Sequence, residues 1–230
     1  MTTAWIVLDI EGTTSATEAV HKGLYDYARP RLGAWIEDHA ADPPVRAAVD
    51  DVRAETGAVT TAEVVAVLHR WMDEDVKATP LKTLQGQIWA AGFAAGELTS
   101  HFFADVPPAL QRWRAEGTRV AVFSSGSVAS QRPWFRHADA GDLSAYVEAY
   151  FDTVNAGPKR EETSYRRIAE ALGSERARVL FLSDVPAELD AAAAAGWRTI
   201  GVARPGEPNA TADFGPHPVI DSFDRLKDHS

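Results

Sequence analysis

Apolar runs too short to be helices recur along this chain, and most of them stop at residues that carry oxygen. Residues 4–10 read AWIVLDI and lead into Glu11, Gly12 and Thr13. Residues 119–123 (RVAVF) lead into Ser-Ser-Gly-Ser, and residues 178–182 (RVLFL) into Ser-Asp. A fourth run, 197–202 (WRTIGV), follows a glycine, and 149–154 (AYFDTV) is a weaker one. Continuous apolar runs of this length fit strands buried on both faces, the condition of a parallel sheet. Helical patterns lie between them and stop at glycine: residues 107–116 at Gly117, 161–172 at Gly173 and 186–195 at Gly196. Strand, helix, glycine and strand in repetition predicts an α/β fold, a Rossmann-like parallel sheet with right-handed crossovers.

The stretch from residue 15 to residue 100 has a different character. It contains helical patterns, such as 62–75 (AEVVAVLHRWMDED) and 81–98, and almost no strand-like run. Pro30, Pro43, Pro44, Gly57 and Pro80 punctuate it. The expectation is an all-helical insert after the first strand, so that residues 1–14 and 101–230 form the α/β core and 15–100 a helical cap. Past Arg204 the chain reads as loop, with a short edge strand at 219–220.

Composition narrows the function. The 230 residues carry 23 Lys and Arg against 33 Asp and Glu, a formal net charge of −10. That balance disfavours general binding to nucleic acid or to anionic membranes, but it leaves room for one or two local cations to hold a small phosphate. The absence of Cys removes disulfides, thiolate metal sites and cysteine nucleophiles. The start, MTTAWIVLDIEG, has no basic leader, and no stretch approaches the apolar length of a membrane span. A cytoplasmic protein is expected.

Loops at the carboxyl ends of parallel strands converge on one crevice. This chain would deliver Asp9, Glu11 and Thr13 there, with Ser124, Ser125 and Ser127, Lys159, and Ser183, Asp184, Glu188 and Asp190. Taken singly, each has an ordinary explanation: a turn, a helix cap, a solvated surface charge. Their ordered occurrence at strand ends favours one site. Clustered carboxylates need a cation, and hard oxygen ligands select Mg²⁺. Serine hydroxyls, backbone N–H groups and a lysine make a phosphate cradle. A carboxylate beside both can attack phosphorus, and a second acid two residues on can protonate the leaving group.

These motifs resemble those of the haloacid dehalogenase-like hydrolases: DIEGT at 9–13, the SSGS after a strand, Lys159, and SDxxxE at 183–188. Longer strings resemble one branch, the enolase-phosphatases of methionine salvage, or acireductone synthases. They are DIEGTT (9–14), ATPLKTLQGQIW (78–89), FSSGSVASQ (123–131), YFDT (150–153), SYRRIAE (164–170) and FLSDVPAELDAA (181–192). The resemblance implies a monomeric, Mg²⁺-dependent enzyme. It would enolise 2,3-diketo-5-methylthiopentyl-1-phosphate and then release phosphate to give the acireductone. It also implies Asp9, Glu11 and Asp184 as metal ligands, with Glu11 acting through its backbone carbonyl. Ser124 and Ser125 would contact the substrate phosphate, and Lys159 would bind it. Asp9, Glu11 and Lys159 would be catalytic. Most of the wider family carries Asp where Glu11 stands. Whether Asp9 forms an aspartyl-phosphate or serves metal and proton transfer stays open at this point.

On the insert, Lys82, Gln85 and Trp89 fall near one helical face and are candidates for contact with the diketone and its tail. Their ordinary reading is core packing for Trp89 and solvent for Lys82. His21, Lys22 and Tyr25 are candidates for the mouth of the site. The rival functions are a generic Mg²⁺-dependent small-molecule phosphatase, a phospho-acceptor signalling domain, and a binding protein with a decayed site. An insert of this size argues against the signalling domain, and fully occupied motifs argue against decay.

Overall fold

The computed structural model describes residues 3–74, 76 and 78–228. The chain divides into two compact units, Met1–Val20 with Ser100–Ser230, and His21–Thr99.

The first unit is built on a six-stranded parallel sheet. Its strands are β1 (Trp5–Leu8), β2 (Arg119–Phe123), β3 (Ala149–Phe151), β4 (Val179–Ser183), β5 (Arg198–Val202) and β6 (Val219–Ile220), in the order β3-β2-β1-β4-β5-β6. Strands β1 and β4 are buried at every position, as continuous apolar runs predict. The order reverses between β1 and β4. The chain leaves β1 toward β2 and β3 and returns to build β4 on its other side, which opens a crevice at the carboxyl ends of the two strands. The register fixes what meets there. Leu8 pairs with both Val122 and Leu182, so Asp9 emerges level with the last residues of β2 and β4.

The helices are α1 (Thr17–Val20), α2 (Asp26–Ala28), α3 (Leu32–Asp38), α4 (Pro43–Thr56), α5 (Thr61–Asp73), α6 (Thr79–Ala94), α7 (Val106–Ala115), α8 (Val128–Arg136), α9 (Glu162–Leu172) and α10 (Pro186–Ala194). One side of the sheet packs Val7, Phe123 and Phe181 against Tyr165 and Ile168 of α9 and Leu189 of α10. Edge-to-face contacts join Tyr165 to Phe123, Phe181 and Trp197, the geometry that aromatic quadrupoles favour.

The second unit is helical. Ala28, Leu32, Val45, Val49, Val64, Leu68, Leu84 and Ile88 share its core. Helix α5 opens with a capping box in which Thr60 accepts from the Glu63 N–H and Glu63 returns the bond to the Thr60 N–H. Gly92 is required inside α6, because a Cβ there would lie 2.6 Å from the Tyr27 ring. Among the described residues no helix is long and apolar enough to cross a membrane.

Several elements are shorter than their apolar runs. Strand β1 ends at Leu8 because Asp9 turns its carboxylate onto the N–H of Ile10. Strand β3 ends at Phe151 because Asp152 accepts from the N–H groups of Val154 and Asn155. Helix α6 begins at Thr79 with Pro80 in its first turn, two residues before the expected start at 81, and closes at Ala94 rather than 98. The pattern at 62–75 forms α5, but its final residue, Asp75, lies outside the described residues.

Candidate active site

Each candidate side chain arrives by a local device. Beyond β1 the chain makes a tight turn in which the N–H groups of Thr14 and Ser15 both donate to the Ile10 carbonyl. Gly12 takes φ +68° in this turn, and a Cβ there would lie 2.3 Å from Asp184 Oδ2. The position therefore demands glycine twice, for its backbone and for the carboxylate over it. Gly12→Ala is expected to cost about 1–2 kcal/mol through the left-handed backbone alone and to displace Asp184. Thermal melting and phosphate release should both fall, and native values in both would contradict the packing.

Lys159 is the centre of the ionic arrangement. Its ammonium lies 2.7 Å from Asp9 Oδ1 and 2.6 Å from Glu188 Oε2, with all three side chains buried. The lysine is fixed from behind by Tyr165, whose hydroxyl donates to the Lys159 carbonyl at 2.7 Å. Ser164 Oγ donates to the Pro158 carbonyl and holds the preceding residue. Ser183 Oγ sits 3.3 Å from Asp9 Oδ2 and 3.0 Å from Glu188 Oε2, so its single proton is shared between the two carboxylates. The Asp184 N–H donates to Thr13 Oγ1, tying β4 to the β1 turn. Asp184 Oδ2 accepts from Asn209 Nδ2 at 2.8 Å, while Oδ1 is buried with no hydrogen-bond partner among the described residues.

The serine loop behaves differently. Ser124 is buried, and its Oγ accepts from the Gly126 N–H. Ser125 is exposed. Ser127 is the N-cap of α8, accepting from the Ser130 N–H, so its work is structural. Asp152 supports the same helix start through the N–H of Val128. Glu11 has an exposed side chain.

Asp9, Asp184, Glu188 and Lys159 thus come together. Three carboxylates against one ammonium leave two negative charges with little access to water. Burial, reinforced by the charge of Asp9, pushes the Asp184 carboxyl up to about 6 and the Glu188 carboxyl up to about 7. Burial works against the charged form of Lys159, but the carboxylates of Asp9 and Glu188 outweigh it and hold the lysine above its usual value.

The residues present fit a divalent cation. The donors are hard carboxylate oxygens, two charges need neutralising, and Asp184 Oδ1 is an unused buried acceptor. Among the described residues no three Asp, Glu, His or Cys side chains form a metal cluster.

A pH prediction follows for the metal-free protein. The folded state holds the Asp184 and Glu188 protons more tightly than the unfolded chain, whose values are near 3.8 and 4.5. Their stabilising contribution is complete below pH 4 and is lost as pH rises through about 6 and 7. The melting temperature without metal should fall between pH 5 and pH 8, and added Mg²⁺ should raise it more at pH 8. An equal Mg²⁺ shift at both values would contradict this.

Comparison with known proteins agrees with the geometry. A family model for haloacid dehalogenase-like hydrolases matches residues 3–196. The chain belongs to the haloacid dehalogenase-like hydrolases. Hydrolases of this family generally use a divalent metal. This hydrolase is 64% identical over 226 residues to enolase-phosphatase E1 of Saccharopolyspora erythraea, covering 96% of this chain and 94% of that one. It is 57% identical over 219 residues to enolase-phosphatase E1 of Frankia alni, covering 94% and 92%. Among solved structures it is similar to the UTR4 protein of Saccharomyces cerevisiae, with a TM-score of 0.81 and 31% identity over 97% of this chain and 100% of that one.

The sequence places Glu188 among the strand-end residues and in the SDxxxE motif, without assigning it a role; in the fold it shares Lys159 with Asp9. Asn209 lies in a loop with no pattern around it. Asp190 stands at a strand end in the sequence, but in the fold its exposed carboxylate pairs with His217. On the helical unit, Lys82 is exposed while Gln85 is buried. Trp89 donates its indole N–H to the Leu24 carbonyl at 2.7 Å and leans on Tyr25, which stacks with His21. These contacts support a packing role for Trp89. Lys22, between His21 and Tyr25 in the chain, is exposed.

Proposed function

We propose that this chain is an enolase-phosphatase of methionine salvage. It converts 2,3-diketo-5-methylthiopentyl-1-phosphate to the acireductone 1,2-dihydroxy-3-keto-5-methylthiopentene and inorganic phosphate. The observation that carries the chemistry is the Asp9–Lys159 pair at the mouth of the β1–β4 crevice, beside a buried Asp184 with an unpartnered oxygen. Near-full-length identity to enolase-phosphatases E1 supports the choice of reaction within the family.

Asp9, Asp184 and the backbone carbonyl of Glu11 would hold Mg²⁺, which when bound offsets negative charge on the carboxylates and on the transferring phosphoryl oxygens. Lys159 supplies the second positive charge. Poised between two carboxylates, it pairs with a phosphate oxygen without crossing open solvent. Ser124 and Ser125 contribute hydroxyls to the same phosphate. Asp9 directs a carboxylate oxygen at phosphorus, and its bonds to Lys159 and the Ile10 N–H hold its orientation. The exposed Glu11 carboxyl would act as acid toward the leaving oxygen and then as base toward water. The helical unit serves as the cap that excludes water and selects the leaving group. The protein works as a cytoplasmic monomer whose partner is the small phosphate ester, not nucleic acid or membrane.

Turnover of the diketone ester against simple sugar phosphates tests the assignment. Phosphate release from the diketone ester should dominate and should vanish with EDTA. Strong turnover of sugar phosphates with none of the diketone ester would replace this reading with a generic phosphatase.

A further inference from the structure

The two oxygens of Asp184 have different fates. Oδ2 accepts from Asn209 Nδ2, and Oδ1 has no hydrogen-bond partner among the described residues. A carboxylate only accepts, so the amide face toward Oδ2 must be the nitrogen, which fixes the Asn209 side chain as a donor. Asp184 is also held through its backbone, whose N–H donates to Thr13 Oγ1. Gly12 lies directly beneath the carboxylate. Rotation of the carboxylate is therefore restrained from three sides, and the amide decides which oxygen remains available.

Asn209 is itself placed by an anchored segment. After β5, Arg204 is buried and donates from Nε to the Thr13 carbonyl at 3.0 Å and from Nη1 to Asp105 Oδ2. The Arg204 guanidinium lies between the rings of Phe103 and Phe223. Three residues later, Glu207 Oε2 accepts from the Thr17 N–H at 2.9 Å. Two residues beyond that, Asn209 reaches Asp184. The segment 204–209 thus grips the β1 turn at Thr13, the start of α1 at Thr17, and the Asp184 carboxylate just past β4.

We infer that Asn209 is a positioning residue for the divalent cation: by occupying Asp184 Oδ2 it presents Oδ1 to the metal. The inference rests on the reading of Asp184 as a metal ligand. Groups that orient a ligand in this way govern metal affinity, and their loss typically weakens it by about 10–100-fold. Removal of the amide would leave Oδ2 buried without a donor and free Asp184 to swing away from the geometry that the cation needs. The neutral amide also holds the carboxylate without competing for the metal, as an acid at position 209 would.

Isothermal titration of metal-free protein with Mg²⁺ reads this directly. Asn209→Ala should weaken Mg²⁺ binding by about 10-fold or more. The Mg²⁺ concentration for half-maximal phosphate release should rise by the same factor, while the substrate KM at saturating Mg²⁺ stays within about twofold of the unaltered protein. Asn209→Leu keeps the volume, removes the donor and should behave alike, which covers any folding defect peculiar to the alanine. Glu207→Ala removes one anchor of the same segment but keeps the Asn209 amide, and should weaken Mg²⁺ affinity clearly less than either Asn209 variant does. Native affinity in both Asn209 variants, or equal weakening by Glu207→Ala, would overturn the positioning role alone. Absence of Mg²⁺ binding by the unaltered protein would overturn both this inference and the metal assignment beneath it.

Discussion

Asp9→Asn is expected to lower phosphate release by at least about 10³-fold while leaving the fold intact. The amide keeps the shape of the carboxylate but lacks its charge. It offers a poor nucleophile, a weaker metal ligand and a poor partner for Lys159. The structural consequence should run the other way. Lys159 keeps Glu188 as its counter-ion. Asp184 and Glu188 lose the neighbouring charge that, after burial, raises their proton affinity. The metal-free variant should therefore melt at or above the temperature of the unaltered protein at pH 8. Loss of activity with a native or raised melting temperature would place Asp9 in the chemistry rather than in the scaffold. Retention of full phosphate release would remove Asp9 from the reaction.

Lys159→Met should damage both activity and stability. Methionine nearly matches the length of the lysine stem, and the Tyr165 hydroxyl keeps its bond to the backbone carbonyl at 159. The charge is not. Asp9 and Glu188 would face each other, buried, with only the Ser183 hydroxyl between them. Removing one partner from a buried ion pair typically costs about 3–5 kcal/mol, because the remaining charge is stranded. Protonation offers an escape, since one proton on the pair relieves the repulsion. The destabilisation should thus be large at pH 8 and much smaller at pH 5, measured by urea unfolding at both values. Phosphate release should fall by about 10²–10³-fold at any pH, through lost charge at the transferring phosphoryl group. A destabilisation independent of pH would mean that the lysine acts by packing alone.

The legible parts of this molecule are those written locally. An apolar run followed by an acid marks a buried strand and its exit, so Asp9 and Asp184 could be read as neighbours across 175 residues of chain. Strand limits were less legible. Residue type does not announce where a ladder stops, and Asp9 and Asp152 each end one by capturing nearby N–H groups. Lys159 looked like any surface lysine except for its place in the motif order; its burial is a property of the fold. Glu188 was legible as a strand-end acid, but its ion pair with Lys159 was not, because an acid in the first turn of a helix is favoured by the helix dipole wherever it points. Arg204 and Asn209 had no local mark at all. They sit in a loop without periodicity, and their partners Asp105, Thr13 and Asp184 lie far away in sequence.

The central claim is that one site enolises the diketone ester and then releases its phosphate. The most direct test follows enol absorbance and inorganic phosphate in the same progress curve, with Mg²⁺ present. The enol signal should lead the phosphate, acireductone and phosphate should accumulate in equal amounts, and EDTA should abolish the phosphate. Phosphate released without an enol intermediate or acireductone product would contradict the central claim.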